Sequence, residues 1–514
     1  MTNNITPLKS VGNVLLNKLL GQITKVDFYE LEFPKYKSQV EKWEKVITDE
    51  EAKADPDATI VESAQEYLDK LADIKKDFTL ARKHYVVHSI SEISRIASKH
   101  NWDLCKMYGK FYIYNGTYWE ELVEEELKQF LGKAAMKMGT PPTDTKHYST
   151  KDELLKQFID AMYLKEPNPA NDKVLVNLSN GTLEISESGV ELRDFNKKDY
   201  LMYQLEFDYN PLADAPMFKQ YIEKVLPDIS CRQVLAEYIG YLFLPNLKLE
   251  KGLLLYGSGA NGKSVFFEII KAMIGDKNMT NYSLSSLTDS KGQCRANIAN
   301  KLVNYATEIS GKANTTIFKQ LVSNEPVEAR YLYKSPFTME RYARLIFNCN
   351  HLPQQTEHNH AYFRRLLIIP FEVTIPANEQ DKTLADKIIK SELPGVLNWV
   401  LAGLNRLLKN KGFTESRKIN EQIEAYKRQS DNVALFIEDN NYVKDVKEVI
   451  ALKTLYTEYA EYCNDSGYRP VGKKNFKIRM ENRKFKVSRR SNVNVVFIRK
   501  SITKQTEFDG NQAG

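Results

Sequence analysis

The sequence predicts a multidomain α/β protein, and three observations carry that expectation. The chain has 514 residues, too many for one core at about 150 residues per domain. A strand-like run, a glycine-rich loop and a helical pattern follow one another directly from Leu253 to Ile274. Near the C-terminus, two helical patterns, a basic helix and a β-ribbon occur in the order of a winged helix. Composition agrees, with 42% hydrophobic and 27% charged residues, the balance of a globular chain rather than a disordered or fibrous one. No apolar run approaches the roughly eighteen residues of a membrane span. Lys9 and Lys18 interrupt the apolar stretches of the N-terminus, so neither an integral membrane protein nor a secreted one is expected. Cys105, Cys231, Cys294, Cys349 and Cys463 are scattered and form no CxxC pair. That argues against a disulfide framework or zinc ribbon and fits a reducing cytoplasm.

In chain order, residues 1–85 read as charged helices with a polar break at Asp55-Pro56-Asp57 and an amphipathic stretch over Ile60–Lys76; they carry no recognisable chemistry. Residues 86–245 read as an α+β domain. Gly109–Trp119 forms two β-rich runs around an Asn-Gly turn. Val174–Asn177 and Gly181–Ile185 form a second strand pair, and helices follow over Met217–Leu226 and Cys231–Leu244. A compact α/β core occupies 246–375. A helical connector at 376–430 contains Asp381–Ser391, Pro394–Lys409 and Ile419–Gln429. The last domain, 431–505, has helices at Asn432–Glu438, Lys447–Cys463 and Lys473–Asn482, then strands Phe485–Ser488 and Val493–Arg499. Residues 506–514 read as a flexible tail.

The strongest motif is Gly257-Ser258-Gly259-Ala260-Asn261-Gly262-Lys263-Ser264, a complete GxxxxGK[ST] between the strand Leu253–Tyr256 and the helix Val265–Ile274. Its glycines let backbone N–H groups close around phosphate oxygens at a helix N-terminus. Lys263 suits the β- and γ-phosphates and Ser264 a Mg²⁺ ion. A chance glycine-rich turn would lack the flanking strand and helix, so a nucleotide such as ATP is the expected ligand.

Hydrolysis needs a carboxylate beside that loop, and Leu302–Glu308 supplies one in Glu308, with Thr307 where many such sites hold a second acid. The run Leu345–Asn350 ends in two candidates for orienting water, Asn348 and Asn350. Asn350, at the strand tip, is preferred. Arg364-Arg365 precedes the strand Leu366–Phe371, and one arginine there could stabilise transition-state charge across a subunit interface. His351, His358 and His360 have no cysteine or acid at ligand spacing, so a zinc site is not expected.

Charge is unevenly placed. Between Arg469 and Lys504 thirteen basic residues face the single acid Glu481, although the whole chain carries only +6. A solvated Lys/Arg face would interleave acids, so a polyanion partner is expected, nucleic acid in particular.

Glu308, Asn350 and Arg364, in that order after the Gly-Lys-Ser loop, resemble the superfamily 3 helicases of viruses, phages and plasmids, and most of all the poxvirus-type and phage–plasmid primase–helicases. The resemblance covers about residues 100–500. It includes Asn101-Trp102, the hairpin Phe111–Trp119, Asn177–Gly181 and Tyr209-Asn210-Pro211 upstream, and the basic module downstream. It implies an AAA+ core in which Lys263 and Ser264 are Walker A, Glu308 the Walker B base, with Ser264 and Glu308 toward the metal. Asn350 would be sensor 1 and Arg364 the finger acting in trans. It also implies a hairpin whose tip enters the channel of a ring, and Val327–Phe337 occupies that place. Arg330 and Lys334 suit phosphates, and Tyr331 and Tyr333 suit bases or sugars. Two departures stand out: Thr307 weakens the metal half of Walker B, and a primase domain is not expected in the hundred or so residues before the recognisable part.

The expected function is therefore an ATP-dependent DNA helicase with Mg²⁺ that forms a homo-hexameric ring, acting on single-stranded and forked or origin DNA in a phage or other mobile element, in the cytoplasm of a bacterial host. A separate primase or polymerase would supply priming. Lys473, Lys474, Lys477 and Arg479 on the basic helix, with Arg489 and Arg490 on the ribbon, would hold duplex DNA. The alternative is a nucleotide-switched DNA-binding regulator that separates no strands. A P-loop small-molecule kinase does not account for the basic module.

Overall fold

The computed structural model describes residues 11–501 apart from 165–172, 187–188, 246, 308, 310–312 and 354–359. The chain divides into two compact units, the first ending at Tyr209 and the second beginning at Asn210.

The first unit begins with helices α1 (Val11–Gln22), α2 (Phe28–Glu32), α3 (Pro34–Glu51), α4 (Ala58–Asp77) and α5 (Arg82–Lys99). A three-stranded antiparallel sheet follows, made of β1 (Leu104–Met107), β2 (Lys110–Tyr114) and β3 (Trp119–Leu122). Its β2–β3 turn is held by the Asn115 carboxamide, which accepts from the Thr117 and Tyr118 N–H groups. Then come α6 (Glu124–Met138), α7 (Pro142–Lys146) and α8 (Tyr148–Ala161), and a second antiparallel sheet of β4 (Val174–Leu178), β5 (Gly181–Ser186) and β6 (Gly189–Arg193). Leu19, Ile90, Ile93, Ile113, Leu127, Leu131 and Phe158 meet in one core. Helices α3 and α4 lie side by side yet bury only Glu50, Ala64 and Leu71. Most of their length is polar, which is why residues 1–85 read as charged helices.

The second unit opens with α9 (Pro216–Val225) and α10 (Ile229–Tyr241). Next are β7 (Gly252–Tyr256), α11 (Lys263–Ile274), β8 (Met279–Thr280), α12 (Leu284–Leu287), α13 (Gln293–Ala296), β9 (Val303–Ala306) and α14 (Thr315–Val322). The hairpin β10 (Val327–Ala329) and β11 (Phe337–Met339) precedes β12 (Arg344–Cys349), α15 (His360–Phe363) and β13 (Leu366–Pro370). The five strands outside that hairpin form one sheet in the order β13-β7-β12-β9-β8, and every pairing is parallel. Continuous apolar strands such as Leu253-Leu254-Leu255 are what a sheet buried on both faces requires. The molecule is thus a mixed α/β protein with a parallel-sheet core.

Helices α16 (Leu384–Ser391), α17 (Leu393–Asn410) and α18 (Arg417–Ser430) follow, with α17 packed on α10 and α18 along β13. The chain continues through α19 (Asn432–Asp439), β14 (Tyr442–Ala451), α20 (Leu452–Asp465), α21 (Lys473–Asn482), β15 (Val487–Arg490) and β16 (Val493–Lys500). These close over Phe436, Leu455, Tyr459, Phe476, Met480, Val496 and Ile498, with a sheet ordered β14-β16-β15.

One expectation is corrected here. The helix expected over Lys447–Cys463 begins only at Leu452, because residues up to Ala451 belong to β14. Val449, Ile450 and Ala451 pair with Phe497, Val496 and Val495. A register shift between Lys444 and Val449 is absorbed by a turn in which the Asp445 carboxylate accepts from the Lys447 and Glu448 N–H groups. Val449, Leu452 and Tyr456 have helical spacing, but pairing with β16 decides the conformation locally.

Candidate functional site

The glycine-rich loop leaves the C-terminal end of β7 and enters α11 at Lys263. Its backbone is tied on several sides. The Gly257 N–H donates to the Cys349 carbonyl at 3.1 Å, and the Ile375 N–H to the Ala260 carbonyl at 2.8 Å. The Asn261 carboxamide donates to the Phe371 carbonyl at 3.1 Å. Gly257 admits no side chain, since a Cβ there would stand 2.5 Å from the Phe371 carbonyl oxygen. Gly262 has φ +84° and a Cβ there would meet Val225 at 2.7 Å.

Lys263 is 6% exposed. Its ammonium donates to the Gly257 carbonyl at 2.7 Å and the Asn261 carboxamide oxygen at 2.9 Å. Both acceptors are uncharged, and burial holds the lysine pKa below its ordinary value. Such an ammonium gains from an anionic oxygen. Ser264 is exposed in the first turn of α11. With backbone N–H groups at the helix start, this set fits a polyphosphate, Lys263 toward its oxygens and Ser264 toward a Mg²⁺ ion that keeps several waters. Among the described residues no group of three or more His, Cys, Asp or Glu side chains could hold a metal. His358 lies outside the described residues.

β12 runs between β7 and β9. Asn350 sits exposed just past its end, beside the start of the glycine loop, since Cys349 pairs with Tyr256. Asn348 is buried one turn of the pleat back and accepts from the Tyr305 hydroxyl at 3.1 Å. The two asparagines are thus separated: one open at the strand tip, one bonded inside the sheet. Glu308 lies outside the described residues, two positions beyond β9.

Arg364 lies at the other end of the sheet. It stands in the turn before β13, whose first residue, Leu366, pairs with Gly252, the first residue of β7. Its guanidinium pairs with Glu250 at 3.1 Å and stays half-exposed. Neighbouring Arg365 is buried, donating to the Ser323 hydroxyl and the Ala361 carbonyl. The structure therefore brings Gly257–Ser264 and Asn350 together and does not bring Arg364 to them within one chain.

Arg330, Tyr331, Tyr333 and Lys334 form the exposed end of the β10–β11 hairpin. Arg330 Nε donates to the Lys334 carbonyl at 3.0 Å, and Tyr331 stacks on Phe337 with centroids 5.2 Å apart. Tyr333 is 93% exposed at φ +60°. The hairpin base is braced by buried Arg295, which donates to the Glu328, Leu287 and Asp289 carbonyls.

In the C-terminal module Lys473 and Lys474 are exposed at the start of α21, Lys473 lying 5.4 Å from the Tyr456 ring centroid. Lys477 stands 3.7 Å from Glu481. Arg489 and Arg490 are exposed on β15, Arg490 over the Phe497 ring. Arg479 differs: its guanidinium turns inward to Asp431 at 3.4 Å, beside Arg483 at 2.9 Å.

Two residues escaped the sequence reading. Tyr221 of α9 donates to the Gly262 carbonyl at 2.8 Å across 41 positions of chain. Glu392 accepts from the Met217 and Phe218 N–H groups and so caps α9. No local pattern marks either residue; only the fold brings Tyr221 to the loop and Glu392 to the start of α9.

Comparison with known families finds the D5 N terminal like family over residues 79–227, the poxvirus D5 protein-like family over 428–512, and a family of unknown function (DUF5906) over 255–365. Similar curated proteins are "Putative helicase L207/L206" of Acanthamoeba polyphaga mimivirus, 25% identical over 63% of this chain, and "Putative helicase 184R" of Invertebrate iridescent virus 6, 24% identical over 60%. The chain spans 37% and 36% of those proteins. Among solved structures, the apo NrS-1 C terminal region aligns over 79% of this chain and 98% of its own at TM-score 0.44 and 11% identity. No helix among the described residues is long and apolar enough to cross a membrane. The resemblance read from the residues holds: the chain carries a D5 N-terminal-like region before its glycine-rich loop and a poxvirus D5-like region after it.

Proposed function

We propose that this chain is an ATP-dependent, ring-forming DNA helicase for replication of a phage or other mobile genetic element, most simply a homo-hexamer. The observation that carries the reading is the placement of charge at opposite ends of one parallel sheet. Lys263 stands at the C-terminal end of β7 and exposed Arg364 beside its N-terminal end. A ring in which each subunit offers its arginine to the next subunit's loop uses both. ATP binds between subunits, held by Gly257–Ser264, with Mg²⁺ at Ser264. Glu308 activates water, Asn350 orients it, and the neighbour's Arg364 meets the developing charge.

The sheet order, with the loop-bearing β7 flanked by β12 and β13, supports an AAA+ core. The order α19-β14-α20-α21-β15-β16, with β16 central, supports a winged helix. In this reading Lys473, Lys474, Lys477, Arg489 and Arg490 grip duplex phosphates, while Arg479 acts through the module's own fold. The Tyr333 tip of the β10–β11 hairpin, with Arg330, Tyr331 and Lys334, grips the translocating strand. The relatives named as helicases agree with this class.

The test is ATP hydrolysis with and without single-stranded DNA, wild type beside Lys263→Ala and Arg364→Ala, together with unwinding of a forked duplex. DNA-stimulated turnover lost in both variants, accompanied by strand separation, is expected. Turnover indifferent to DNA with no unwinding would favour the nucleotide-switched regulator, which needs the loop and the basic module but not the exposed hairpin.

A further inference from the structure

Helix α9 lies well before the glycine loop in sequence and carries none of its motif, yet it supplies that loop with a hydrogen bond. The Tyr221 hydroxyl donates to the Gly262 carbonyl at 2.8 Å from a buried position. Burial raises the phenol's pKa, so it stays a donor at any working pH. The same carbonyl accepts the Phe266 N–H at 3.1 Å, the first helical bond of α11. In a trans peptide the C=O and the following N–H point in opposite directions. A donor that fixes the Gly262 carbonyl therefore also aims the Lys263 N–H, out of the N-terminus of α11 where an anion would lie. This peptide is the one that needs fixing. Gly262 sits at φ +84°, where glycine has broad freedom.

The donor is itself held. Glu392 accepts the Met217 and Phe218 N–H groups at 3.0 and 2.9 Å. Val225, one turn after Tyr221, closes on Gly262, leaving no room for a Cβ. Tyr221 is thus a buried donor on a capped helix, directed at a single carbonyl of the loop.

We propose that Tyr221 is a positioning residue of the phosphate site: its hydroxyl presets the Gly262–Lys263 peptide so that the N–H groups at the start of α11 meet a polyphosphate without rearrangement. The inference rests on the reading of Gly257–Ser264 as a nucleotide site and adds to it a group from outside the motif.

The experiment titrates the full chain with a fluorescent ATP analogue and Mg²⁺, comparing wild type, Tyr221→Phe, Tyr238→Phe and Lys263→Ala. Tyr238 is the matched control, a buried tyrosine whose hydroxyl donates to the Lys251 and Leu345 carbonyls away from the loop. Tyr221→Phe keeps the ring and leaves Gly262 bonded to Phe266. Its affinity should fall about threefold to tenfold, the loss of one hydrogen bond. In turnover, KM for ATP should rise by a similar factor with kcat nearly unchanged. Tyr238→Phe should melt earlier but bind as wild type does. Wild-type affinity in Tyr221→Phe, or equal losses in both tyrosine variants, would overturn the positioning role while leaving the loop's function intact. Equal binding by wild type and Lys263→Ala would instead sink the nucleotide site, and this inference with it.

Discussion

The Arg364 guanidinium and the Glu250 carboxylate pair at 3.1 Å beside the first residues of β7 and β13, at the end of the sheet away from Lys263. Five strand residues span about 17 Å, so Arg364 does not serve its own loop. Arg364→Ala should keep nucleotide affinity and lose turnover by about 10³-fold, the scale of an arginine finger. Mixing Arg364→Ala with Lys263→Ala subunits should restore part of the turnover, because some interfaces then pair an intact loop with an intact arginine. Two inactive variants that stay inactive when mixed would exclude a shared site.

Tyr333 is the clean probe of the hairpin because it is 93% exposed, whereas Tyr331 also stacks on Phe337. Tyr333→Ala should leave the melting midpoint unchanged and weaken single-strand binding by about 1–3 kcal/mol, the value of one base–aromatic stack. Duplex binding should persist. If single-strand affinity is also unchanged, the hairpin tip is not a strand contact.

Arg479 and Lys474 should separate in a paired measurement. Arg479→Ala removes one of two guanidiniums on Asp431, so the C-terminal module should lose about 1–3 kcal/mol of stability. Lys474→Ala should leave stability alone, weaken duplex binding, and lower the magnitude of the salt slope of log K by about 1. An Arg479→Ala chain that melts normally but loses DNA would reverse this assignment.

Thiol labelling tests the core around the loop. Burial pushes the Cys349 and Cys105 thiols up to about 12 and Cys231 up to about 11. Cys463 is also buried, while Cys294 is partly open. Alkylation of the native chain near pH 8 should therefore reach Cys294 first. Mass spectrometry of the labelled peptides reads the order, and early modification of Cys349 would show that β12 is not enclosed as described.

Short-range patterns made much of this fold legible. The glycine loop between strand and helix, the Asn115-Gly116 hairpin and helix α21 all stand where residue spacing puts them, because each depends on neighbours within a few positions. The Lys447–Ala451 end of β14 reads as helix because it continues the apolar spacing of α20, and only β16, more than forty residues later, decides its conformation. Arg479 counts as one more positive charge in the sequence, and nothing local announces that Asp431 draws it inward. Tyr221 is the same case from the other direction. The glycine-rich loop is written in eight consecutive residues, and its supports are scattered from α9 to Ile375.

That scatter bears on how the protein is made. β13 pairs with β7, and the loop's bonds to Phe371 and Ile375 come from the chain just beyond β13. A nascent chain that has released Lys263 from the ribosome still lacks both the sheet's flanking strand and the loop's last anchors. The glycine-rich loop therefore gains its last anchors only after about a hundred further residues have emerged, when the whole parallel sheet can close at once.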